Sequence, residues 1–64
     1  MRLAVVGTGL MGASVALAAK RAGTVRVAGF DTDRDVVERA VARGAVDDPA
    51  ATLEEALASA DLAV

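Results

Sequence analysis

Three glycines fall within six residues of the stretch VVGTGLMGASVALAAKRAG, at Gly7, Gly9 and Gly12. Each glycine inside a regular element costs roughly 0.5–1 kcal/mol relative to alanine, so the turn must need backbone without side chains. Backbone amides without side chains around them suit an anion. The first amides of a helix have no intrahelical acceptor and lie at the positive end of its dipole. A single carboxylate, Asp31, follows 19 residues beyond Gly12, and its oxygens can accept hydrogen bonds from a vicinal diol. Anion binding and diol binding are therefore the two chemistries on offer. Catalytic chemistry is not: the 64 residues include no histidine and no cysteine. That removes the usual general base, the commonest metal ligand, thiolate chemistry and any disulfide.

The elements that must carry these residues alternate. Leu3-Ala4-Val5-Val6 is an apolar run without polar alternation, as expected of a parallel strand covered on both faces. Residues 10 to 22 form a helix that closes on Lys20, Arg21 and Gly23. A second strand spans residues 25 to 30. Thr32 and Asp33 offer N-cap oxygens for a second helix, with Asp35 in its first turn and Gly44 at its end. Ala45-Val46 reads as a short third strand and Asp47-Asp48-Pro49 as a polar turn. Thr52-Leu53-Glu54-Glu55 fits a capping box, opening a helix to about Ala60 with Leu53, Ala56, Leu57 and Ala60 on one face. An apolar strand begins at Asp61-Leu62. Strands alternating with helices at these lengths predict an α/β fold, a Rossmann-type doubly wound parallel sheet of which residues 1–64 form the incomplete N-terminal β-α-β-α-β half.

In that context Gly7-Thr8-Gly9-Leu10-Met11-Gly12 is the G-x-G-x-x-G of a dinucleotide-binding turn. Gly7 allows the tight turn, Gly9 the close approach of a pyrophosphate, and Gly12 the close packing of helix on strand. Thr8, Leu10 and Met11 complete the cofactor-binding set, the last two through their amides. Asp31 would take both hydroxyls of the adenosine ribose, which favours NAD over NADP. Asp31 also has a plainer use as a helix cap, and Arg34 stands close enough in sequence to reach a 2′-phosphate or to serve as a solvated helix charge. Asp33, Asp35, Asp47, Asp48, Glu54 and Glu55 are read as caps and turns, and no metal site is expected.

Composition narrows the class further. Net charge is −2 with arginines scattered singly and one aromatic residue, Phe30, which excludes a nucleic-acid surface. The uncharged run Leu3–Ala19 loosely mimics a signal peptide, but Gly7, Gly9, Gly12, Thr8 and Ser14 break it, and it is too short and glycine-rich to span a membrane. The cytoplasm is the expected compartment. Apolar residues are 55%, but many are alanine, and a chain this small buries only about 60% of its unfolded surface. A larger whole is expected.

The segments GTGLMGASVALAAKRAG, VAGFDTD, ERAVARGAVDD and EEALASADLAV together resemble the start of the prephenate dehydrogenase and arogenate dehydrogenase family. The telling residues are Ser14, the Lys20-Arg21-Ala22-Gly23 helix end and Ala45-Val46-Asp47 after Gly44. The resemblance implies NAD(P)-dependent oxidative decarboxylation of prephenate, giving 4-hydroxyphenylpyruvate in tyrosine synthesis. It also implies a helical C-terminal domain that dimerises and carries the catalytic histidine and substrate-binding arginines. None of those residues lies within residues 1–64, so no catalytic residue is nominated here and this stretch alone is expected to be inactive. A β-hydroxyacid dehydrogenase or imine reductase with a similar GLMG turn is the alternative among enzymes. A non-catalytic nucleotide-binding fragment is the alternative outside them.

Overall fold

The computed structural model describes residues 1–7 and 9–64, with Leu10 and Met11 described by their backbone alone. The chain runs β1 (Arg2–Val6), α1 (Leu10–Ala22), β2 (Arg26–Phe30), α2 (Arg34–Ala42), β3 (Asp48–Pro49), α3 (Leu53–Leu57) and β4 (Leu62–Ala63). All four strands are parallel, in the order β3-β2-β1-β4. This is the strand order of a Rossmann-type sheet: the chain steps outward from β1 to β3, then returns past β1 to β4.

The apolar run of β1 becomes the centre of the sheet. Leu3, Ala4 and Val5 are 2%, 0% and 1% exposed, because both faces of β1 are covered. On one face Leu3, Val5 and Val27 join Ala13 and Ala16 of α1 and Ala40 of α2 in a single core. On the other, α3 lies against β1 and β2 and buries Ala56. The reversal of direction at β3 puts the right-handed crossover on that second face. The core is built from alanine and valine, so the helices sit close to the sheet.

The helix ends follow local chemistry. Asp33 Oδ1 accepts the Asp35 N–H at 3.0 Å and caps α2. At the other end Gly44 has φ 77°, a left-handed conformation that glycine adopts without strain. The Gly44 N–H donates to Val41 O and the Ala45 N–H to Ala40 O, both at 3.0 Å, which is the double bond pattern of a Schellman cap. Thr52 Oγ1 accepts the Glu55 N–H at 3.1 Å, as the capping box predicts. The helix it opens is shorter than expected. It ends at Leu57, and a tighter turn bonding Ala60 N–H to Leu57 O finishes it. Of the expected apolar face, Ala56 is buried while Leu53 and Leu57 are about 40% exposed.

The third strand is displaced from its expected place. Ala45 and Val46 are buried but make no ladder; the strand is Asp48–Pro49, within the segment expected as a turn. Asp47 explains the shift. Its backbone N–H donates to Val27 O at 2.9 Å, while its side-chain Oδ2 accepts the Val27 N–H at 2.8 Å. A carboxylate thus supplies the acceptor that a strand carbonyl would otherwise provide. Pro49 has no N–H to give, and the next donor is Ala50, to Gly29 O at 2.8 Å. Proline is tolerated because β3 is an edge strand.

Two ion pairs clamp the N-terminal ends of these strands. Lys20 Nζ lies 2.6 Å from Asp47 Oδ1, and the Arg26 guanidinium grips both oxygens of Asp48 at 2.7 Å. The Lys20 ammonium, helped by the Val27 N–H, holds the Asp47 carboxyl below its ordinary value. The Arg26 fork does the same for Asp48, whose carboxylate in turn raises the Arg26 guanidinium. These acids act as structural fasteners, at the opposite end of the strands from Gly7.

Candidate functional site

The glycine turn and the acidic residue meet at the C-terminal edge of the sheet. Val6 pairs with Phe30 in the β1–β2 ladder, and the Gly7 N–H donates to Phe30 O at 2.8 Å. Gly7 and Asp31 are therefore the residues that leave two adjacent strands side by side. On the other flank the Val6 N–H donates to Val64 O at 2.9 Å, so β4 ends level with β1. The chain leaves β1 towards β2 and arrives at β4 from the opposite side. A crevice opens at such a switch point, and in open α/β sheets ligands bind there.

Each of the three glycines has a different reason to be there. Gly7 has φ 81°, which a residue with a Cβ adopts only under strain. At Gly12 a Cβ would fall on the carbonyl oxygen of Gly7 and lie 3.0 Å from Val5 Cγ1. Helix α1 can approach β1 this closely only with glycine at that position. A Cβ on Gly9, in contrast, would meet nothing within 4 Å. Among the described residues, no packing calls for a bare backbone at Gly9.

The start of α1 differs from the other helix starts. Its first internal bond runs from the Ala13 N–H to Gly9 O at 2.9 Å, so the amides of Leu10, Met11 and Gly12 precede it. Among the described residues, Gly9 has no capping side chain and the first turn carries no acidic residue. Both α2 and α3 have a side-chain cap and acidic residues there. The positive end of α1 is thus left for an outside anion, and the open space over Gly9 leaves room for one. The residues present fit the pyrophosphate of a dinucleotide.

Asp31 is half-buried, and its Oδ1 accepts the Asp33 N–H at 2.9 Å, closing a turn on the end of β2. The α2 cap is Asp33, so capping does not account for Asp31. Of the expected cofactor-binding residues, the fold brings Gly7, Gly9, Gly12 and Asp31 to this one edge, with the backbone of Leu10 and Met11 in the first helical turn. Thr8 and the side chains of Leu10 and Met11 lie outside the described residues.

One part of the site was not visible in the sequence. A cleft of about 310 Å³ runs from Asp31 along α2, between that helix and the segment that leaves β3. Arg34 and Glu38 line it from α2, Val37 and Pro49 supply apolar floor, and Glu55 reaches it from α3. Arg34 thus stands beside Asp31. Glu38 reads from sequence as a solvated face and Glu55 as a capping residue; only the docking of α2 beside the end of β3 brings them together. Among the described residues no cluster of acids could hold a metal ion. None of the helices described is long and apolar enough to cross a membrane.

The family described as the NAD binding domain of 6-phosphogluconate dehydrogenase matches residues 2–64. The match shows an NAD-binding dehydrogenase domain and is not specific to prephenate dehydrogenase. No curated protein sequence matches the chain. With nearly all of its residues matched, the chain belongs to this family of NAD-binding domains.

Proposed function

We propose that residues 1–64 are the cofactor-binding part of an NAD-dependent oxidoreductase that acts on a hydroxyacid, in the manner of a β-hydroxyacid dehydrogenase. The observation that carries this reading is the uncapped start of α1 beneath a glycine whose Cβ would meet empty space, one strand from Asp31. The amides of Leu10, Met11 and Gly12 bind the pyrophosphate. The Asp31 carboxylate accepts hydrogen bonds from the ribose diol and opposes a 2′-phosphate by like charge, which favours NAD over NADP. Gly7 and Gly12 set the distance between the strand and the helix. The chemistry that the nicotinamide supplies when bound is acceptance of a hydride from a carbon bearing a hydroxyl group.

The catalytic groups belong, on this reading, to a separate substrate domain, which also provides the homodimer contact. The family match favours the hydroxyacid reading, and the resemblance of GTGLMGASVALAAKRAG and ERAVARGAVDD to prephenate dehydrogenase favours oxidative decarboxylation of prephenate. Following NADH formation by the whole protein with 6-phosphogluconate, short β-hydroxyacids, prephenate and arogenate separates the two. Reduction of NAD with a hydroxyacid supports the first reading. Turnover only with prephenate or arogenate replaces it with the second, and no turnover with any of them leaves a nucleotide-binding module and refutes the enzyme reading.

A further inference from the structure

We infer that Lys20 and Asp47 are positioning residues for the cofactor: their ion pair fixes the direction of α1 against β2, and so aims the first amides of the helix at a phosphate held in register with Asp31. The inference rests on the cofactor reading above. That reading divides the site between two elements. The amides belong to α1, and the diol carboxylate stands at the end of β2. A ligand that engages both needs a fixed angle between helix and strand. Bound groups are held well only when their partners stay within about 10–20° of the productive direction.

Close to the site, α1 is held against β1 at Gly12, where it meets the Gly7 carbonyl and Val5. Beyond that point the buried residues of α1 are Ala13 and Ala16, with Leu17 and Ala19 only partly covered. Methyl groups make a smooth contact, because the ridges that lock packed elements come from longer side chains. A helix resting on methyls can swing about Gly12. Lys20 stops the swing. It lies roughly 12 Å along the axis from Gly12, so a sideways slip of about 3 Å there turns the helix by about 15°. Its Nζ is 2.6 Å from Asp47 Oδ1, and Asp47 is stitched to β2 through both the N–H and the carbonyl of Val27. The two side chains are 24% and 29% exposed, which shields the pair from the water and salt that weaken surface pairs. The other ion pair, Arg26 with Asp48, joins β2 to β3 and does not hold α1.

The test compares one ligand that spans both elements with two that do not. ADP-ribose carries a pyrophosphate and the adenosine diol, whereas inorganic pyrophosphate and adenosine each reach one half of the site. Their affinities are measured by NMR titration in the unmodified chain, Lys20→Met, Asp47→Asn and Lys20→Arg. Lys20→Met keeps the apolar stem and drops the charge. Asp47→Asn breaks the same pair from the other side and keeps an oxygen for the Val27 N–H, so it carries the comparison if Lys20→Met does not fold. The expected result is roughly tenfold weaker ADP-ribose in both variants, the worth of one hydrogen bond to a charged group. Pyrophosphate and adenosine should bind as before, because a free ion follows the helix wherever it points. Lys20→Arg, which keeps the charge, should restore ADP-ribose. A uniform loss for all three ligands marks a role in stability alone and overturns the inference. So does unchanged ADP-ribose affinity in the two variants, or a loss that arginine fails to restore. These outcomes leave the cofactor reading intact. Failure of ADP-ribose to bind the unmodified chain overturns that reading together with the inference.

Discussion

Replacing Gly12 by alanine separates the packing role of one glycine from the binding role of another. A methyl group at residue 12 would clash with the carbonyl oxygen of Gly7 and stand 3.0 Å from Val5 Cγ1. The obstruction is backbone, so no flexible side chain can swing aside, and α1 must move off β1. Overpacking a tight contact costs about 1–3 kcal/mol, and the rigid obstacle argues for the upper part of that range. Exchanging glycine for alanine inside a helix returns up to about 1 kcal/mol. The net loss is about 1–2 kcal/mol. For a domain of this size each kcal/mol moves Tm by about 4–8 °C, so Gly12→Ala should melt roughly 4–16 °C below the unmodified chain. Thermal unfolding followed by circular dichroism reads this directly. Gly9→Ala is the control: its Cβ meets nothing within 4 Å, so the melt should shift by no more than a few degrees while dinucleotide affinity falls. A Gly12→Ala chain as stable as the original would refute the close approach of α1 to β1. A Gly9→Ala chain that binds NAD unchanged would refute the pyrophosphate seat.

Further outcomes follow from the same geometry. Asp31→Ala should weaken NAD by about 1.5–3 kcal/mol and narrow its advantage over NADP, as measured by parallel titrations; an unchanged preference would remove Asp31 from the diol site. Thr52→Ala should cost about 1 kcal/mol in urea unfolding, because the Glu55 N–H loses its acceptor. Asp47 and Asp48 titrate below their ordinary value of 3.8 in the folded chain. The unfolded chain therefore takes up protons first as the pH falls. The stabilisation from these groups is complete above about pH 5 and disappears as acid carries the solution through 3.8 to the lower folded values. Tm should drop across that window, and Asp47→Asn should flatten the drop.

Much of this fold follows from local pattern, and the exceptions have specific causes. The helix over residues 10–22 is observed at those bounds, because its stop signals at Lys20, Arg21 and Gly23 act locally. Asp33 and Gly44 likewise fix the ends of α2 through their own immediate backbone. The third strand escaped because its pairing depends on a side chain. Asp47 bonds the Val27 N–H in place of a carbonyl, and a proline then sits on the sheet edge, where propensity argues against a strand. Helix α3 was overextended because Leu53 and Leu57 share the spacing of a buried face, yet only Ala56 of that helix is buried. At the site, the spacing of Gly7, Gly9 and Gly12 marked the turn, and the end of β2 marked Asp31. Glu38 and Glu55 were not legible as neighbours: 17 residues separate them, and only the crossover from α2 through β3 to α3 brings both to one cleft.

The most direct test is an equilibrium titration of the chain with NAD and NADP, read as the rise in Tm with ligand concentration. A ligand that binds only the folded chain stabilises it by about 2.7 kcal/mol at a hundredfold excess over Kd. NAD should raise Tm by roughly 10–20 °C at that excess, and NADP should require a higher concentration to do the same. A melt that neither dinucleotide moves, or that both move at the same concentration, would contradict the assignment of the glycine turn and Asp31 as an NAD site.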